Sequence, residues 1–177
     1  MRIQVQQDDG MFAYVDVKDL IPETGASAEF LNLSTNFLLM TRGGDIIPSK
    51  RLIQGVINGT EARVQGKFVI TKSWDDGDVP SGEWMIRPSG IAVPSRQFDL
   101  YSVAVGPMVL NRGYHQRGLS GGNVLFELKE ETDPASEVVM TPRWGMSNPA
   151  TQNRVRGDWP FKVEVGSELV FAIRYQI

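Results

Sequence analysis

The sequence predicts an all-β protein: a β-sandwich, a single jelly roll of about eight strands with little helix, formed as one domain over residues 1–177. Three observations carry this. Apolar and polar residues alternate with a period of two through much of the chain, as half-buried strands require, because successive side chains point to opposite faces. Turn signals recur at short spacing, among them Asp8-Asp9-Gly10, Asn58-Gly59 and Gly166-Ser167. A length of 177 residues suits one well-cored domain and is short for two.

The elements follow in order. Ile3 and Val5 alternate with Arg2, Gln4 and Gln6; after Asp8–Gly10, Phe12, Tyr14 and Val15 continue as strand. Pro22–Gly25 is a loop. Phe30–Met40 fits a helical face (Phe30, Leu33, Phe37) or two buried strand pieces, and its apolar density favours strand. Leu52–Thr71 reads as a hairpin turning at Asn58-Gly59, the strongest short-range signal for a type I′ turn. That turn pairs Ile57 with Thr60, Gly55 with Ala62 and Ile53 with Val64, with Phe68 and Ile70 inside and Arg63, Gln65 and Lys67 outside. Asp75–Gly82 is a polar loop, and Trp84 and Ile86 start a strand broken at Pro88. Phe98–Val105 is apolar at nearly every residue, as a central strand would be. Arg112–Gly122 reads as a Gly-rich loop, Val124–Leu128 as strand, Val138–Met140 as a short strand and Arg143–Asp158 as a long polar loop.

The closing stretch Pro160–Ile177 reads as two core strands, one with Phe161, Val163 and Val165, the other with Leu169, Phe171, Ile173, Tyr175 and Ile177. A two-residue hairpin at Gly166-Ser167 would set Val165 opposite Glu168 and turn the charged set inward. Parity therefore demands a three-residue loop, or a crossing between facing sheets.

Composition narrows the function. No apolar run approaches the ~20 residues of a spanning helix, and the N-terminus reads as strand, without the apolar core of a signal peptide. Cys 0 excludes disulfides, thiolate metal sites and a cysteine nucleophile. A net charge of −3 with no basic arm argues against direct nucleic-acid binding.

The motifs give little chemistry. Gly118-Leu119-Ser120-Gly121-Gly122 matches G-x-S-x-G, but the one histidine, His115, lies before Ser120, and a strand follows where a nucleophile elbow needs a helix. One imidazole cannot make a His-rich metal site. Asp75, Asp76 and Asp78, with Glu83, are candidate oxygen ligands for Ca²⁺, though a solvated turn accounts for them as well. No cofactor and no enzymatic activity are expected.

The best candidate contact surface is Arg143, Trp144, Met146, Arg154, Arg156 and Trp159, since Trp and Arg are enriched in interface hot spots. Tyr114 and Arg117 in the Gly-rich loop are a second candidate. The alternative is a non-catalytic carbohydrate- or ligand-binding module, lectin-like or of the phage receptor-binding kind, with Trp74, Trp84, Trp144 and Trp159 as stacking platforms.

By size, cysteine-free composition and all-β pattern, over its full length, the chain resembles the small single-jelly-roll major capsid protein of tailless icosahedral phages with an internal membrane, such as those infecting Thermus. The resemblance implies a coat subunit made in the host cytoplasm and located in the virion. It implies homo-oligomers, a second coat protein and an internal membrane as partners.

Overall fold

The computed structural model describes residues 2–6, 12–16, 30–95, 105–112, 119–145 and 153–177. Phe98 to Ala104, which the sequence reads as a central strand, lie outside the described residues, as do Met146, Tyr114, Arg117 and His115. Strands β1 (Arg2–Gln6) and β2 (Phe12–Asp16) pair as an antiparallel hairpin, Ile3 opposite Val15 and Val5 opposite Ala13.

The remaining strands form one ten-stranded sheet. They are β3 (Leu31–Asn32), β4 (Phe37–Thr41), β5 (Ser49–Asn58), β6 (Glu61–Ile70), β7 (Trp84–Pro88), β8 (Val105–Asn111), β9 (Leu119–Leu128), β10 (Val138–Trp144), β11 (Asn153–Arg154) and β12 (Glu168–Gln176). Their order is β3-β5-β6-β12-β8-β9-β10-β7-β4, with β11 on β10, and every pairing is antiparallel. The two ends of that order are consecutive pieces of one segment, joined by the short 3₁₀ turn Ser34–Asn36. The sheet therefore curls until its two end strands fall within the one stretch Leu31–Thr41, which leaves its edges short and close together. The outcome is the all-β, jelly-roll-like sandwich that the alternation predicts. Sequence neighbours lie side by side at β5–β6 and β8–β9–β10, while the chain crosses between layers from β6 to β7, β7 to β8 and β10 to β12.

The interior is where the two layers meet. Phe171 on β12 packs edge-on to Phe37 of β4 at 6.3 Å and stacks on Phe68 of β6 at 6.0 Å; Phe126 of β9 meets Tyr175 of β12 at 4.6 Å. Leu169, Phe171, Ile173 and Tyr175 are all buried, so the predicted parity of the last strand is the observed one, and β12 sits in the middle of the sheet between β6 and β8.

Four expectations are corrected. The β5–β6 hairpin turns at Gly59-Thr60, with Asn58 opposite Glu61 and Ile57 opposite Ala62. Gly59 takes the positive φ of +60°. Moving the turn by one residue changes each pairing by two and leaves both faces intact, so hydrophobic parity alone does not detect it. Second, Leu119–Gly122 belongs to β9 and not to a loop; a side chain at Gly122 would run into the Arg143 carbonyl, so close approach explains this glycine. Third, Arg143 and Trp144 finish β10, and Arg154 lies in β11, so the long polar loop is shorter than expected. Fourth, residues 161–167 form no strand. Val163 is buried, but Val165 is 63% exposed, and Gly166 caps a turn in which Ser167 N–H donates to the Glu164 carbonyl. The parity conflict disappears because β12 pairs with β6 and β8 and not with the segment before it.

Candidate interaction sites

The end of β10 gathers most of the residues that sequence reasoning picked as a contact surface. Antiparallel pairing puts Arg143 opposite Arg154 and Trp144 opposite Asn153. Like charges across a ladder repel unless an anion joins them. That anion is Glu127 on the adjacent β9, which is fully buried. Its Oε1 accepts a hydrogen bond from the Thr141 hydroxyl at 2.7 Å and lies 3.2 Å from Arg154 Nη2. Arg42, from the turn after β4, pairs with the same oxygen, and Arg143 donates to Oε2. Charge-assisted bonds of this kind are roughly twice as strong as neutral ones, which is how a carboxylate tolerates such a site.

A second carboxylate, Glu83 at the start of β7, receives Arg154 Nη1 at 2.9 Å and Arg156 Nη2 at 3.4 Å. Burial pushes Glu83 up, but the hydrogen bonds and charges of Arg154 and Arg156 outweigh it and hold the carboxyl below its usual range. Arg154 also pairs with the exposed Glu131. Beside this cluster Trp144 and Trp159 meet edge to face, centroids 5.7 Å apart and planes at 83°.

Arg143, Trp144, Arg154, Arg156 and Trp159 thus come together, but not as one contact surface. Arg143 is buried as an internal anchor, and Trp144 is half-buried; Arg156 and Trp159 are exposed. Next to them Glu83, Asn153, Arg154, Arg156, Asp158 and Trp159 line a cavity of about 330 Å³. Of the other tryptophans, Trp84 is wholly in the core and offers no stacking face, and Trp74 is half-buried against the core. Asp75 pairs with Lys162 at 2.7 Å and Asp78 with Lys72 at 3.4 Å. Among the described residues no three acidic or histidine side chains are grouped to hold an ion. Ser120 lies within β9 opposite Leu110.

A larger surface was missed from sequence. On the outward side of β5, β6, β12 and β8 one register row reads Leu52, Lys67, Val170, Val109, and the next carries Gln54, Gln65 and Ala172. Leu52 is 58% exposed, and Val109 and Val170 are exposed too. With Phe30 and Pro107 they line a groove of about 830 Å³. The signal was present in the letters: Val170 has the parity of Glu168 and Arg174, and Leu52 that of Lys50 and Gln54. An apolar residue in the wetted phase of a strand marks a face that needs cover.

No protein family, no curated protein and no solved structure matches the chain. Fold and sites together define an all-β sandwich protein with an apolar outer sheet face and a separate polar cavity beside a tryptophan pair. Among the described residues no helix is long and apolar enough to cross a membrane.

Proposed function

We propose that this chain is a structural subunit that associates with copies of itself and with a second coat protein into a viral shell around an internal membrane. The observation that carries the reading is the exposed apolar row on the outer sheet face, Leu52, Val170 and Val109 with Phe30 beside it. Its size supports assembly by many weak contacts. Four strands at ~4.8 Å spacing and two register rows about 7 Å apart cover roughly 20 Å by 14 Å, on the order of 300 Å². That is less than half of the ~800 Å² per partner typical of a stable pair. A face of this size does not hold an isolated dimer tightly, but it serves in a lattice where each subunit makes several such contacts at once. Polar Lys67 and Gln65 within the face keep the free subunit soluble and fix the register of packing.

Light scattering after size-exclusion chromatography tests this. Mass that rises with concentration is expected, and Val170→Asp, at an exposed site, should return the protein to monomer with its unfolding midpoint nearly unchanged. A strict monomer at millimolar concentration overturns the reading.

A further inference from the structure

The cavity beside the tryptophan pair lies apart from the outer sheet face, and its contents suit a ligand of one chemical kind. From them we infer a binding site for a neutral sugar ring, one or two units of a glycan, independent of the assembly reading.

Three features lead there. The first is the platform. Trp159 lines the cavity and is 45% exposed, while Trp144 touches it edge to face and does not line the cavity. Such a contact covers at most one face of the Trp159 indole and stiffens the ring, leaving an open aromatic surface. The C–H-rich face of a pyranose packs on such a surface, with its hydroxyls left at the rim.

The second is the set of unused polar groups. Asp158 and Asn153 make no side-chain hydrogen bond or ion pair among the described residues, and both are exposed at the cavity wall. Arg156 gives one 3.4 Å contact to Glu83, so most of its donors remain available. Arg154 does not take part in the same way, because Glu83, Glu127 and Glu131 already occupy its two terminal nitrogens. A carboxylate, a carboxamide and a guanidinium are planar groups that can each meet two adjacent hydroxyls at once.

The third is charge. The lining has two arginines against two carboxylates, so the cavity has no net charge. A phosphate or a polyamine gains nothing there, whereas a neutral polyol does. About 330 Å³ is at the small end of ligand sites, which favours one or two rings over a drug-sized apolar molecule.

The backbone holds these parts in place. Arg156 bridges both Glu83 and Trp159, and Gly157 lies so close to Trp74 that a side chain there would strike the indole. The cavity wall is therefore fixed to β7 on one side and to the core on the other.

Saturation-transfer NMR on the full chain with cellobiose, lactose, maltose and N,N′-diacetylchitobiose, each at about 10 mM, suits the millimolar affinity of a single ring. At least one disaccharide is expected to show transfer, and Trp159→Ala and Asp158→Ala should each weaken it about tenfold or more. Asp158→Ala removes an exposed, unpaired side chain and leaves the fold intact, so it stays informative if Trp159→Ala does not fold. Val170→Asp should bind as the unaltered chain does, which separates this site from assembly. No transfer from any of the four sugars overturns the inference, and so does binding that both cavity variants leave unchanged.

Discussion

Glu127 is the residue on which the β9–β10 end depends. A fully buried carboxylate among Arg42, Arg143 and Arg154 is stable only as a set. Removing the anion takes away the one carboxylate that all three guanidinium groups share, with only Glu83 and Glu131 left to Arg42 and Arg154, and breaking a buried pair from one side typically costs ~3–5 kcal/mol. Glu127→Gln should lower stability by that order in urea unfolding, although its shape is nearly unchanged. A loss under about 1 kcal/mol would show that water reaches the cluster. Glu83 gives the pH dependence. Its folded value is held below the ordinary 4.5. A depressed carboxyl contributes stability that is fully present above the unfolded value and is lost as pH falls through the folded one. The unfolding midpoint should therefore drop on acidification below about pH 4.5, and Glu83→Gln should reduce that slope. Tyr175 acts at the other end of the scale: its hydroxyl donates to the Ala92 carbonyl at 2.8 Å, and burial pushes the phenol above its ordinary range. Stability from this group is complete below the unfolded value and falls as pH rises through the folded one, so Tyr175→Phe should remove the alkaline limb at a cost of about 1 kcal/mol.

At the scale of the element, the β5–β6 turn decides between two registers that bury the same residues. If the turn is at Gly59-Thr60, as the pairing of Asn58 with Glu61 shows, then Gly59→Ala should cost about 1–2 kcal/mol, because a side chain is strained at φ +60°. Asn58→Ala should cost less, since Asn58 lies in the ladder; the reverse ranking would restore the turn read from sequence. This hairpin also shows what was legible and what was not. Strand identity and parity follow from burial, and burial is written in the alternation of Ile53, Ala62, Val64, Phe68 and Ile70. Register within a parity depends on turn geometry, where Asn58-Gly59 and Gly59-Thr60 are close competitors. Val163 and Val165 fail for a related reason: one apolar residue anchoring a loop looks like the start of a strand. The interaction residues were legible as a type-enriched group, Trp and Arg, but composition does not say which arginine is buried. Arg143 and Arg156 differ only through Glu127, a residue that reads as an ordinary wetted position of a strand. The outer face was missed because Leu52 and Val170 are single departures from phase, and only the register lines them up.

The whole molecule is organised around its last strand. β12 joins β6 to β8, and its Phe171 and Tyr175 contact aromatic rings from β4, β6 and β9. It pairs along its whole length with β6, 99 to 115 positions earlier in sequence, Glu168 with Val69 through Gln176 with Glu61. Closing the sheet therefore requires non-local contacts that form only after most of the chain is available, and such topologies fold in milliseconds to seconds where helical bundles take microseconds. β8–β9–β10 is a local meander and β5–β6 a local hairpin, but neither can bury its inner face without the strand between them. A chain ended after Pro160 should consequently show no cooperative thermal transition and no dispersed methyl signals in NMR. Adding a peptide of residues 161–177 in trans should restore both, because the strand enters a slot with ladders waiting on either side. A truncated chain that still melts cooperatively would mean that the two halves of the sheet are independently stable. In that case the closed sandwich would be an association of two units, and the outer face would no longer be built on a single rigid layer.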